Sequence, residues 1–434
     1  MWIWIFIGCV KSIQVESFES TWQTIDESFP YEDFQGVNWV AVHDEYLPKA
    51  KKAKSNEELR PILTEMIEEL EVSHIGIIPS EAYDRAKKDD SKTTQSNNSD
   101  KEQKSDIIPQ GWVGLDARWI DNSLLVTKVS DFAQEQGVEL GWTILAIDGI
   151  DTSAVLPKIS DSEPREQEFE MGRLAIGHFE GNTSETLEIS FKDFEGNVIE
   201  KEMPFHPEGT ITTPEFGNLP ICGIRVSHHP LQEGPYYLSF NMFLMPIKPL
   251  ITEAFETVVA QNSPGMIIDL RGNPGGLIDL GVFLASHFVS EPDLDLGEQI
   301  SRDGNLFLTI YPRPTAQRYT GPVAILIDEL SASTSEVLAG GLQELGQVKV
   351  FGTQSAGKAL PSVIKDLPNG DRLQYVIFDL KTPIGGRYEG DGVAPDFVVA
   401  HTKEALQNGE DLALQSAIQW IHSQNTPLSP PATP

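Results

Sequence analysis

The chain has 434 residues, too many for one ordinary hydrophobic core, so several domains are expected. Hydrophobic residues make up 40% and aromatics 9%, which excludes general disorder. Against 32 Lys and Arg stand 65 Asp and Glu, net −33; such a surface repels polyanions, which excludes nucleic acid as a partner, and its simplest role is solubility.

The start, MWIWIFIGCV, is an apolar run without basic residues ahead of it. It is similar to the end of a bacterial signal peptide, and Ile7-Gly8-Cys9 to a lipoprotein cleavage box. The reading taken is a signal remnant over 1–16 and a periplasmic or secreted protein, with Cys9 the candidate lipid-anchor position. No stretch reaches the roughly 18–20 apolar residues that span a bilayer, so no transmembrane segment is expected. Cys9 and Cys222 are the two cysteines, which excludes a disulfide framework.

Residues 17–85 read as a helical region. Within it, SNEELRPILTEMIEELEVSH opens on a capping box, Ser55 with Glu58, and places Leu59, Ile62, Leu63, Met66, Ile67 and Leu70 at helical spacing. Residues 86–110 are expected to be a flexible linker, because 86–106 are almost wholly polar.

Residues 111–214 read as a β-rich domain, with strand candidates at 124–129, 143–147 and 187–191 between Gly, Asp and Asn turns. The order strand, short helix, Gly137, Gly141, strand, Asp148-Gly149 resembles a PDZ domain. That resemblance implies capture of peptide tails as an added strand, and tail binding that gates a neighbouring site. A generic small β-domain is the plainer reading.

From 215 to 402 strands and helices alternate. Strand candidates fall at 236–241, 265–270, 323–327 and 348–351, with helices at 250–260 and 336–345. This predicts an α/β layered core with parallel character. A C-terminal helix is expected over 403–424, then a proline-rich disordered tail at 425–434.

Three segments of this core carry chemistry. In DLRGNPGG, 269–276, an apolar strand runs into a glycine turn whose N–H groups suit a phosphate or an oxyanion equally. In SASTSE, 331–336, a buried strand leads through a serine-rich turn into a helix; such a serine is either an exposed nucleophile or a helix cap. In GKALPS, 357–362, Lys358 follows a strand and is either solvated or, if desolvated, a candidate base. Asp269 and Arg271 suit organising the glycine turn rather than reacting. His228-His229 lacks a ligand spacing, so neither metal nor cofactor is expected.

The ordered set DLRGNPGG, SASTSE and the Gly-Lys loop resembles the C-terminal-processing, or tail-specific, serine proteases. The resemblance implies a multidomain protein of α/β and β parts: N-terminal helices, a PDZ-like domain and an α/β core of the ClpP/crotonase-like type. It implies protein or peptide substrates, engaged through unstructured or C-terminal segments. Ser333 corresponds to the nucleophile and Lys358 to its base. The oxyanion donors correspond to the backbone N–H of Thr334 and of Gly275 or Gly276. The family's glutamine four residues after the lysine is replaced by Ser362.

EELEVSHIG, 68–76, resembles the Ser-His segment of tricorn-core proteases, and EGDGVAPD, 389–396, their glutamate segment. This second resemblance implies a Ser73, His74, Ser333, Glu389 tetrad with His74 as base, a residue whose ordinary pKa suits neutral pH. Histidine tetrad and serine–lysine dyad both stand as readings. Two non-peptidase readings remain: a catalytically silent peptide- or ligand-binding protein of the same fold, and a hydrolase of small esters or amides.

Overall fold

The computed structural model of the chain describes residues 12–84, 109–159, 163–213, 219, 221–232, 234–289, 294–310 and 318–425. The apolar start with Cys9, most of the expected linker and nearly all of the C-terminal tail lie outside the described residues.

Buried strands build the centre. Met266–Asp269 and Val323–Ile327 are apolar on both faces and wholly buried, which suits parallel strands covered by helices. They occupy the middle of a seven-stranded sheet ordered Thr210–Thr212, Gly223–Pro230, Tyr236–Phe240, Met266–Asp269, Val323–Ile327, Lys349–Gly352, Phe397–Val398. The first three pair antiparallel; from Tyr236–Phe240 onward every pairing is parallel. Helices Ile247–Ala260, Ile278–Ala285 and Thr334–Glu344 cover one face, and Leu412–Asn425 the other through Ala417, Ile418 and Ile421. The chain thus pairs a mixed α/β core with the expected N-terminal helices. The segment 403–424 forms two helices, Lys403–Gln407 and Leu412–Asn425, because Gly409 at φ 73° breaks a continuous one.

The helices Ile13–Ser28, Trp39–Ala50 and Asn56–Glu68 pack around Phe18, Ile25, Trp39, Leu59, Leu63 and Met66. Ser12 caps the first of them, so that helix begins before residue 17. The Ser55 cap forms as the sequence suggests, accepting the Glu58 N–H, whereas the Glu58 carboxylate reaches back to the Lys54 N–H rather than to that of Ser55.

Between these parts lies an antiparallel sheet with its own core. Its strands Leu115–Ile120, Ser123–Val129, Thr143–Ile147, Thr186–Lys192 and Val198–Pro204 pair in chain order, and Ile150–Asp151 folds back on the third. The β-rich reading of 111–214 omits the long helix Pro164–Phe179, which packs on Leu115–Ile120. The strand Thr210–Thr212 near the end of that span pairs with Gly223–Pro230 in the large sheet.

Candidate active site

The glycine turn at the end of Met266–Asp269 and the serine turn at the end of Val323–Ile327 are neighbours because their strands pair in parallel. Hydroxyl groups sew the two turns together. Ser331 Oγ donates to the Leu270 carbonyl at 2.8 Å, Thr334 Oγ1 to that of Gly276 at 2.8 Å, and Ser335 Oγ to that of Asn273 at 2.9 Å. Ser331 and Ser335 are fully buried, whereas Ser333 between them is half-buried. Its backbone sits at φ 57°, ψ −120°, outside the region a non-glycine residue ordinarily adopts, at the start of the helix Thr334–Glu344. That is the geometry of a serine presented on a sharp strand-to-helix turn.

Gly275 lies against this turn. A Cβ on it would stand 2.8 Å from the Ala332 carbonyl oxygen and 2.9 Å from the Thr334 nitrogen, so only glycine fits. The Gly275 N–H donates to Asn273 Oδ1 at 2.9 Å. Among the described residues, the N–H groups of Gly276 and Thr334 donate to no other group. Asp269 and Arg271 pair at 2.6 Å, and Arg271 also meets Asp411 at 2.7 Å. The buried Arg271 charge, with bonds from it and from Tyr237, holds the Asp269 carboxyl at about 2 despite burial, the largest effect, which pushes the other way. This is an organising pair under the glycine turn.

Ser73 and His74 come from the far end of the chain. After the helix Asn56–Glu68, Leu70 is buried and Glu71 and His74 adopt positive φ, 48° and 57°. Gly76–Ile78 then pairs antiparallel with Arg372–Val376, which anchors the segment to the core. Ser73 Oγ donates to Glu389 Oε2 at 2.8 Å and lies 2.8 Å from His74 Nδ1. Having given its one proton to the carboxylate, the hydroxyl accepts from Nδ1–H. The tautomer is thereby fixed, and the Nε2 lone pair is left available. Glu389 also accepts the Ser73 N–H at 2.9 Å and the Ala359 N–H at 2.8 Å. Burial, and secondarily the Lys358 charge, lowers the His74 pKa to about 4, so the ring is neutral at pH 7.

Lys358 is held elsewhere. Its ammonium donates to Glu166 Oε1 at 3.1 Å and lies 4.6 Å from the Phe169 ring centroid, both on the helix Pro164–Phe179. Arg165 on that helix donates to the Asp391 carbonyl at 2.6 Å and to that of Gly390. The Lys358 main chain, by contrast, meets the serine turn: its carbonyl accepts the Ser333 N–H at 2.8 Å. Ser362, where the lysine's orienting partner was expected, accepts from Gln374 Nε2 and faces a different strand. No hydrogen bond among the described residues joins Ser333 Oγ to His74 or Lys358. A cleft of about 1270 Å³ is lined by His74, Lys358, Glu389, Ala332, Pro274 and Phe169, so the segments singled out in the sequence converge on one space. Glu336 and Glu166, which the sequence reading did not assign to the site, join it through Ser333 and Lys358.

His228 and His229 face the strand Tyr236–Phe240 rather than the cleft; His228 Nδ1 lies 2.9 Å from the Tyr236 hydroxyl. No cluster of three or more His, Cys, Asp or Glu suited to a metal occurs among the described residues. No described helix is long and apolar enough to cross a membrane.

Residues 236–399 match the family model described as Peptidase family S41, and residues 15–68 that of the Tricorn protease C1 domain. A carboxyl-terminal-processing protease of Picosynechococcus is 22% identical over 403 residues, covering 92% of this chain and 87% of that protein. The solved photosystem II D1 C-terminal processing protease aligns with a TM-score of 0.58 at 18% identity, over 94% of this chain and 97% of that one. The tricorn protease aligns with a TM-score of 0.51 at 15% identity, over 95% of this chain and 37% of that one. These structural likenesses establish a common fold. With the S41 match spanning both turns of the cleft and the C1 match running along the helices that lead to His74, the chain carries a region similar to the S41 peptidases and is a serine-type hydrolase.

Proposed function

We propose that the protein is an endopeptidase that cleaves unstructured or C-terminal segments of proteins through an acyl-enzyme, with Ser333 as nucleophile and His74 as general base. The observation that carries this reading is the ordered chain from His74 Nδ1–H through Ser73 Oγ–H to Glu389, which leaves Nε2 able to take a proton. In the reaction Ser333 Oγ attacks the scissile carbonyl and its proton passes to His74 Nε2. The Gly276 and Thr334 N–H groups receive the oxyanion, and the imidazolium returns the proton to the leaving amine. Water then repeats the sequence on the acyl-enzyme. Glu389, through Ser73, stabilises the imidazolium that forms in between. Lys358 acts as a fixed positive charge in this reading, since its ammonium already serves Glu166.

The antiparallel sheet unit is proposed as a PDZ-like tail-binding module, supported by its strand–helix–strand order and by its edge strand Leu115–Ile120. Export, with Cys9 as a lipid-anchor position, is supported by the apolar run at the start of the sequence. A fluorophosphonate probe tests the catalytic reading. Mass spectrometry should find one adduct, on Ser333, and none in Ser333→Ala; an unlabelled wild type that also cleaves no casein would favour the binding-protein reading.

A further inference from the structure

Glu336 is fully buried at the third position of the helix Thr334–Glu344, yet no cation faces its carboxylate among the described residues. Its two oxygens accept four hydrogen bonds instead. Oε1 receives the Ser355 hydroxyl at 2.6 Å and the Gly357 N–H at 2.7 Å; Oε2 receives the N–H groups of Ser333 and Lys358, each at 3.0 Å. A helix-capping side chain accounts for the first turn alone, that is, for the bond from Ser333. The other three donors come from the loop after Lys349–Gly352.

The contact extends further. Ser355 Oγ, which gives its proton to Glu336, accepts the Val393 N–H at 2.6 Å, and the Gly357 carbonyl accepts the Gly390 N–H at 2.8 Å. Both lie in the segment that carries Glu389. One carboxylate therefore ties the Ser333 turn to the loop that positions Lys358 and, through it, to the Glu389 segment. Burial raises the Glu336 carboxyl to about 7 even though the four bonds work against that rise. An unpaired buried carboxylate is a poor choice for stability, since a well-packed apolar residue would serve better. Its four bonds instead hold four donors from two segments in one geometry.

We infer that Glu336 is a positioning residue for acyl transfer, whose carboxylate clamps the 355–358 loop to the nucleophile turn and so holds Ser333 in its strained conformation. This rests on the reading of Ser333 as nucleophile.

Glu336→Gln keeps the size but turns an amide donor toward groups that are themselves donors, which opens the clamp. Kinetics with a long unstructured peptide and hydrogen exchange of the same samples form the test. Glu336→Gln should lower kcat about 100-fold with KM within about twofold, the scale of a small misplacement of a reacting group. Amides in 331–336 and 355–359 should lose protection while Met266–Asp269 and Val323–Ile327 keep theirs. Ser355→Ala, which removes one bond and leaves the charge, should lower kcat about five- to tenfold, in keeping with the loss of one charge-assisted bond. A kcat within about threefold of wild type in both variants would overturn the proposal, whatever the exchange shows. Global loss of protection in Glu336→Gln, with normal kcat in Ser355→Ala, would reduce Glu336 to a structural residue and overturn it equally. A wild type that labels with fluorophosphonate but shows neither effect separates this failure from failure of the nucleophile itself, in which the wild type does not label.

Discussion

Gly275 approaches Ser333 so closely that a Cβ added to the glycine would stand 2.6 Å from the serine Cβ. The glycine also sits at φ 99°, a conformation that a side chain makes strained. Gly275→Ala should therefore push the glycine turn away from Ser333 and misplace the Gly276 N–H, the proposed oxyanion donor. We expect kcat to fall by about 100-fold or more, the usual scale for losing one oxyanion donor. Peptide kinetics, with circular dichroism to confirm folding, measure this.

Ser73 bridges His74 and Glu389 and makes no hydrogen bond to Ser333, Gly276 or Thr334. In Ser73→Ala the His74 ring loses the acceptor that fixes its tautomer, and Glu389 loses a donor. The expected drop in kcat is about 10²–10⁴-fold, as when a triad's orienting member is removed, with fluorophosphonate labelling slowed in parallel. Labelling at the wild-type rate would show that Ser73 is not part of the relay.

The pH profile has its sign set by two groups. His74, lowered to about 4, stays neutral well below the ordinary histidine range. Glu336, raised to about 7, takes its proton first as the pH falls, and with it goes the four-donor clamp. Around Glu336 the titratable neighbours are Tyr388 from the segment before Glu389, and Lys358 and Glu389, whose charges are engaged with Glu166 and with Ser73 and Ala359. The kcat/KM of the wild type should fall as pH drops through about 7. Glu336→Gln should be lower but flat there, declining only where His74 is protonated. Stability follows opposite signs: the raised Glu336 contributes below about 4.5 and loses its contribution as pH rises through 7. The lowered His74 contributes above about 6.5 and loses its contribution as pH falls toward 4.

Arg118 on the strand Leu115–Ile120 reaches the core, where its guanidinium donates to Asp328 Oδ2 at 2.7 Å with both side chains buried. Asp328 Oδ1 in turn accepts the Gly272 and Leu330 N–H groups at 2.9 and 3.1 Å. One ion pair thus joins the antiparallel sheet unit to both turns of the cleft. Arg118→Met should cost about 3–5 kcal/mol of stability, because it leaves a buried carboxylate unpaired. It should also lower activity through Gly272. Thermal unfolding and peptide cleavage measured together check this; unchanged values in both would mean the pair couples nothing.

Much of the core was legible because its signals are local. Met266–Asp269 and Val323–Ile327 are short apolar runs ending in glycine- or serine-rich turns, and a buried parallel strand has no other way to look. The serine turn stood out for the same reason, but Ser333 was singled out within it by the family resemblance, and the partners of the Ser331 and Ser335 hydroxyls distinguish those two in the structure. The helix Pro164–Phe179 escaped notice because Gly172 and Gly177 weaken its propensity and its buried face reads Met171, Gly172, Ala175, Phe179, a weak apolar stripe. Gly172 packs against Leu330, whose methyl group a Cβ would meet at 2.8 Å. Glu336 was visible as the last letter of SASTSE, but a glutamate near a helix start already has a sufficient explanation as a cap. Its other three donors lie about twenty residues away, where sequence spacing carries no information about contact. A charged residue inside the otherwise apolar and small ASTSEVLAGG was the one available sign.

The choice between His74 and Lys358 as base is the central claim, and casein cleavage by His74→Ala and Lys358→Ala, with Ser333→Ala as the blank, tests it most directly. The account predicts that His74→Ala is as inactive as Ser333→Ala, while Lys358→Ala keeps most of its activity once folding is confirmed. An active His74→Ala beside an inactive, folded Lys358→Ala would contradict it and make the lysine the base.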